Sequence, residues 1–166
     1  MTAKSTVHGK WNVLPDLGKI HMKSSRVGLI TISAIAPIVG GFADWLPHKA
    51  DMSLDIDLHN ITTGNRMLDG QVRKVILSGS DGILRFKGAG VASDDELQFD
   101  GDAVCGNIVV PMSLTGESQG LSDEGILDIV LGGLASFEDL KLPIPGFRHI
   151  DKIDLHIDGD IKLGKK

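Results

Sequence analysis

Alternation of apolar and polar residues is the feature that most limits what this chain can fold into. Near the C-terminus, Ile153, Leu155, Ile157, Ile161 and Leu163 alternate with charged and polar residues. Successive side chains of a β-strand point to opposite faces, so this pattern predicts a strand with one face buried.

The same alternation recurs along the chain and predicts seven or eight strands. Clear segments are 52–58, 97–103 and 108–114, and weaker segments are 19–23, 29–33, 83–87 and 127–131. Turn-forming residues separate them at 60–65, 78–82, 94–95, 116–120 and 143–146. Connections this short favour antiparallel pairing.

One segment carries a helical pattern instead. Residues 66–77 contain a loose apolar stripe formed by Met67, Leu68, Val72, Val75 and Ile76. The prediction is therefore an all-β, mainly antiparallel fold with one short helix. No repeat or linker divides the sequence, so we expect residues 1–166 to form a single domain. Alternation alone does not choose between a closed barrel and two packed sheets.

Charge and cysteine content narrow the functional classes. The net charge of −5 argues against nucleic acid as a partner, because phosphate-backbone binders display basic surfaces. Cys105 is the single cysteine, so no intramolecular disulfide forms and a cytoplasmic location is the default expectation. The apolar run 27–40, preceded by Lys23 and Arg26, resembles an export signal. We interpret it as buried structure and keep a periplasmic or secreted location as the alternative.

The sequence names no catalytic residue and no metal site. None of the six histidines is paired at the helical i, i+4 spacing of a zinc motif, and His21, His59 and His156 have the polar parity of their strands. Asp154, Asp158 and Asp160 share a strand face, which we interpret as solvated. No nucleophile or phosphate-loop motif occurs, and we expect Cys105 to be a small buried hydrophobe.

The apolar faces of the strands either fill a solid core or line a lumen. Gly101 and Ala103 place small residues on the apolar face of the strand 97–103, and aromatic residues make up only 4% of the chain. Both observations favour open space between the apolar faces. The candidate lumen residues are Met52, Leu54, Ile56, Leu84, Phe86, Phe99, Ala103, Val110, Met112 and Leu114.

Several short motifs resemble, in order, those of the YceI-like family of polyisoprenoid-binding proteins. They are WNVLPD at 11–16, GGF at 40–42, LDID at 54–57, ITTGN at 61–65, LRF at 84–86 and a glycine-to-proline hairpin at 101–111. The resemblance implies a lipocalin-like closed barrel of about eight strands that holds a long isoprenoid chain. It also implies frequent dimers and frequent export.

Three functional hypotheses follow. The first is a carrier of an apolar isoprenoid, such as a quinone tail or a polyprenyl alcohol, with no cofactor and no catalysis. The second is an enzyme on the same scaffold that acts on a lipid headgroup, with His59 or His149 as base. The third is a filled barrel that serves protein interaction.

Overall fold

Strands make up most of the part of the chain that the structure describes. The computed structural model describes residues 9–15, 17–24, 33–64, 66–77, 81–93, 96–106, 108–140 and 150–165. The strands are β1 (Gly9–Val13), β2 (Gly18–Ser24), β3 (Ser33–Trp45), β4 (Ala50–Asp57), β5 (Ile83–Ser93), β6 (Glu96–Cys105), β7 (Ile108–Leu121), β8 (Ile126–Leu140) and β9 (Ile150–Lys165). A 3-10 turn (Leu58–Asn60) follows β4, and α1 (Arg66–Leu77) precedes β5.

The strands close into an antiparallel barrel with eight positions. Each strand from β3 to β8 pairs with the next along the chain, and β2 closes the ring by pairing with both β9 and β3. The predicted closed barrel is therefore confirmed.

The first two strands occupy one position between them. β1 pairs with the end of β3 on one side and the end of β9 on the other, and β2 continues along the same two neighbours. Between β1 and β2, the Leu14 backbone N–H donates to the Lys162 carbonyl oxygen at 2.9 Å. β1 and β2 thus act as a single interrupted wall strand.

Several glycines lie where two neighbouring strands of the ring approach each other closely. Gly101 pairs with Gly88, and a Cβ added at Gly101 would lie 1.9 Å from the Lys87 carbonyl oxygen. A Cβ at Gly90 would lie 1.7 Å from the Gln98 carbonyl oxygen. The backbones of β5 and β6 approach so closely here that only glycine fits, as is typical where another backbone lies against a strand.

The sequence pattern predicts β3 only in part. The predicted strand 29–33 lies almost wholly outside the described residues, whereas Ser33–Trp45 forms a strand that alternation did not reveal. Its apolar residues fall on both faces, since Ala36 is buried while Ile35 and Phe42 are exposed. Its register also shifts between Ile38 and Gly40. A two-sided apolar strand with a bulge lacks the period of two.

The turn predicted at 116–120 is wrong, because these residues continue β7. Gly116 faces inward, where an added Cβ would lie 3.1 Å from Ile129 Cγ2. Gly120, with φ of 116°, lies where the register shifts past Ser118. The glycines therefore serve close packing and a bulge within one strand.

The helix predicted over 66–77 corresponds to α1, in the connection between β4 and β5. Within the described ranges no helix has both the length and the hydropathy of a membrane span.

Candidate binding site in the barrel interior

The barrel interior is one continuous apolar cluster. All ten candidate lumen residues are buried in it, from Met52 on β4 to Leu114 on β7. Among the described residues, Ser53 is the one buried polar side chain, and it has the outward parity of β4. The inward faces were therefore assigned correctly, while a ligand contact for these ten residues stays a prediction.

Half of the interior wall comes from strands outside that candidate set. Inward residues of β1, β2, β3, β8 and β9 complete the cluster; the large ones include Trp11, Ile20, Ile38, Trp45, Leu127, Ile129, Leu131, Ile157, Ile161 and Leu163. The alternation in β9 was visible in the sequence. The sequence does not predict either tryptophan as an interior residue; around Trp45 no alternation marks the inward face.

Small side chains are frequent on the inward faces. Seven alanines are buried in the cluster: Ala34, Ala36, Ala43, Ala50, Ala92, Ala103 and Ala135. Small wall residues widen the space between opposite walls of a barrel, whereas large ones fill it. Ala103 is fully buried and pairs with Phe86 on β5 and Val110 on β7.

Gly101 does not provide open space, contrary to its interpretation from the sequence. An added Cβ there would strike the backbone of Lys87 and Gly88, so the glycine is required by the close approach of β5 and β6. A Cβ at Gly88 would lie 2.4 Å from Phe86 Cζ, so the Phe86 ring covers Gly88. This stretch of the interior is therefore occupied by an aromatic ring.

Two tryptophans lie at one end of the barrel, which we call the tryptophan end. Trp11 pairs with Ala43, two residues before Trp45 in β3, so the two indoles are diagonal neighbours on one face. Both are buried, and the Lys165 ammonium lies 4.6 Å from the centre of the Trp11 ring. The connection between β3 and β4 is short at this end, as is that between β7 and β8. Bulky rings and tight turns close this end.

The opposite end carries α1, and we call it the helix end. Asp69 of α1 accepts hydrogen bonds from the Thr63 hydroxyl and, at 2.6 Å, from the Thr63 backbone N–H. These bonds, helped by the Arg73 charge, hold the pKa of Asp69 below its usual value. Arg73 also donates to the Ile61 carbonyl oxygen at 3.0 Å. The start of α1 is thus attached to the connection that leaves β4.

A second set of bonds attaches the 3-10 turn to the start of β5. His59 Nε2 lies 2.6 Å from the Asp81 carbonyl oxygen, so this nitrogen carries the proton and donates. The Asp81 carboxylate accepts from Arg85 at 2.8 Å and from the Ile83 N–H, and these bonds lower its pKa. His59 Nε2 is thus engaged in a structural hydrogen bond between the 3-10 turn and the start of β5, and His149 lies outside the described residues.

The other chemistry-bearing residues lie mostly where the sequence predicted them, although His59 belongs to the 3-10 turn and not to a strand, and Asp154 and Asp160 are half-buried. His21, His59 and His156 are exposed, and Cys105 is buried in the interior cluster. Asp154 accepts from the Ser136 hydroxyl at 2.7 Å. In the described part of the chain, no three His, Cys, Asp or Glu residues are grouped closely enough to hold a metal ion.

A groove of about 630 Å³ lies on the outer wall across β5 to β9. Its lining includes the exposed residues Glu96, Gln98, Glu117 and Asp158, so it is distinct from the interior. Three carboxylates make it a poor match for an apolar chain.

Fold and site together define a closed antiparallel barrel with an apolar interior, one end closed by tryptophans and the other carrying a helix. The structure is similar to that of a polyisoprenoid binding domain from Saccharophagus degradans. The TM-score is 0.62 at 13% identity, over 94% of this chain and 98% of that domain.

It is also similar to BcnA from Burkholderia cenocepacia, with a TM-score of 0.52 at 10% identity, over 86% of this chain and 95% of BcnA. No protein-family model and no curated protein matches the sequence. In fold, the chain is the lipocalin-like barrel that the resemblance to the YceI-like family implied.

Proposed function

We propose that this protein is a YceI-like carrier that holds a long isoprenoid lipid, such as a quinone tail or a polyprenyl alcohol, inside its barrel. The observation that carries the proposal is the continuous apolar interior of an eight-position barrel. A barrel of this size either packs its interior with side chains or holds one small ligand. The shared fold with a polyisoprenoid binding domain supports the second choice.

The energetics suit a ligand without precise polar recognition. Each buried CH₂ group contributes about 0.8 kcal/mol, so each five-carbon isoprene unit contributes roughly 4 kcal/mol before the cost of ordering the chain. A few units in a dry tube are enough for tight binding. The interior needs no nucleophile or base for this role, and Cys105 is its one titratable group among the described residues.

We infer that the lipid enters at the helix end. The tryptophan end is narrowed by Trp11 and Trp45 and by short turns. At the helix end, α1 lies in a connection that runs from residue 58 to residue 82. α1 is attached to this connection through Asp69 and Arg73, and the connection is attached to β3 through the Ile35–Thr62 bridge. A displacement of α1 alone would leave the pairing between β1 and β9 and all other strand pairs intact.

The direct test fills the interior with a ring. Ala103→Phe places a phenyl group at a fully buried inward position, whereas Val104→Phe places the same group on the neighbouring outward position, where the valine is 40% exposed. The readouts are uptake of a long-chain isoprenoid by the delipidated protein and the melting temperature of each ligand-free variant.

In a ligand-holding barrel, Ala103→Phe abolishes uptake with little loss of stability, and Val104→Phe leaves both unchanged. A filled interior would instead resist the ring, because overpacking costs about 1 to 3 kcal/mol. Uptake that is absent in the parent protein, or equal in both variants and the parent, would contradict the proposal.

A further inference from the structure

The apolar interior contains one buried polar atom, on Trp45, whose hydrogen-bonding capacity is not used by the described residues. Trp45 is 1% exposed, and its indole Nε1 is buried with no hydrogen-bond partner among the described residues. The second such atom, Arg73 Nε, belongs to a side chain on α1 that already donates, through its terminal nitrogen, to the Ile61 carbonyl oxygen. Trp45 Nε1 is therefore a buried, unused donor inside the barrel.

Such a donor is unusual in a folded protein. Buried tryptophan N–H groups usually find an acceptor, and a buried donor left without one destabilises the fold. A phenylalanine would close the same end of the barrel without this cost. The indole at Trp45 is thus better explained by an acceptor that joins it than by packing alone.

Geometry limits where this acceptor comes from. Trp45 pairs with Gly9 on β1 and with Ala50 on β4, and Ala50 pairs with Gly90 on β5. These three residues carry no side-chain hydrogen-bonding group. The described neighbours across both strand pairs therefore offer no side-chain acceptor to the indole.

We propose that Trp45 Nε1–H donates a hydrogen bond to an oxygen of the bound lipid. The ligand would then lie with a neutral oxygen-bearing group at the tryptophan end and its chain pointing to the helix end. This deepens the proposed function, on which it rests, by naming the ligand class: an isoprenoid with a carbonyl or hydroxyl oxygen. A diphosphate group is excluded at this position, since burying its charge in apolar surroundings would be costly.

The experiment compares two ligands that differ at one group. Farnesylacetone is an isoprenoid methyl ketone, and its partner is the hydrocarbon in which CH₂ replaces the carbonyl. Because the chain has two tryptophans, a ¹⁵N-labelled sample gives two indole N–H signals, and Trp11→Phe assigns them. Dissociation constants for both ligands are measured with the parent, Trp45→Phe and the control Trp11→Phe.

The proposal predicts that the ketone, and not the hydrocarbon, moves the Trp45 indole proton downfield. It also predicts that Trp45→Phe weakens ketone binding about threefold to tenfold, which corresponds to one net hydrogen bond. The same variant should weaken hydrocarbon binding by less than twofold. Trp11→Phe should change both affinities by the same factor.

Three results would overturn the inference. An unmoved Trp45 signal with tight binding of both ligands would refute the hydrogen bond and leave the carrier function standing. A Trp45 proton that is already downfield in the ligand-free protein, with a cross-peak to water, would assign the donor to a buried water. Failure of both ligands to bind the parent would refute the carrier function itself.

Discussion

Replacing Gly101 by alanine should destabilise this protein much more than the same change at Gly132. Both glycines lie inside strands, and neither has a positive φ. A Cβ at Gly101 would lie 1.9 Å from the Lys87 carbonyl oxygen and 2.7 Å from Gly88 Cα. A Cβ at Gly132 meets only ordinary contacts, the nearest being Thr115 Oγ1 at 3.5 Å.

The magnitude follows from these distances. β5 and β6 would have to separate by about 1 Å to restore a normal contact, which strains the backbone hydrogen bonds between the two strands. We expect Gly101→Ala to lower the free energy of unfolding by about 2 to 3 kcal/mol. For Gly132→Ala we expect the free energy of unfolding to stay the same or to rise by up to about 1 kcal/mol, because alanine reduces the entropy of the unfolded chain.

Urea unfolding of the delipidated proteins, followed by circular dichroism, measures both free energies. For a chain of this length, the loss at Gly101 corresponds to a fall in melting temperature of about 4 to 12 °C. Equal stability of the two variants would refute the explanation that close backbone approach, and not lumen space, requires glycine at this position.

Two further predictions concern charged groups. Asp69→Asn should have a lower melting temperature than the parent protein at neutral pH. This difference in melting temperature should become smaller as the pH falls from about 4 towards 2. The reason is that the lowered pKa of Asp69 stabilises the folded state only while this carboxylate is ionised; a pH-independent gap would contradict it. Asp128→Asn should change the free energy of unfolding by less than about 1 kcal/mol, because the 2.5 Å ion pair with Lys162 is substantially exposed. A larger loss in urea unfolding would show that this pair does more than a surface contact.

Strands were predictable wherever one face meets solvent. In β9, Ile157, Ile161 and Leu163 are buried and alternate with polar residues, so the pattern alone gave the inward face. β3 has apolar residues on both faces, and its period of two is interrupted at Gly40 by a bulge. Local pattern carries no information about such a strand, because its position is decided by its neighbours.

Glycines were the least predictable part of the fold. Glycines at 101, 116 and 120 suggested turns or open space, but each lies inside a strand. Gly101 is at a close approach of two backbones, Gly116 at a packing contact and Gly120 at a bulge. A close approach between two strands depends on the register of residues far apart in sequence. Only the paired strands show which atom a Cβ would meet.

The sequence predicts which strand faces line the barrel interior, but not which residues lie at the two ends of the barrel. Alternation identified Phe86 and Phe99 as inward residues. The closure by Trp11 and Trp45 depends on β1 and β2 sharing one position in the barrel, which is a property of pairing across the whole chain. The unused donor of Trp45 follows from that closure and carries no local sequence signal.

Mass spectrometry of an organic extract of the purified, folded protein tests the central claim most directly. The carrier account predicts one dominant isoprenoid lipid, close to one molecule per chain, that is lost from Ala103→Phe and retained by Val104→Phe. An extract without stoichiometric lipid, from a protein that also fails to take up added isoprenoid, would contradict the account and favour a filled barrel.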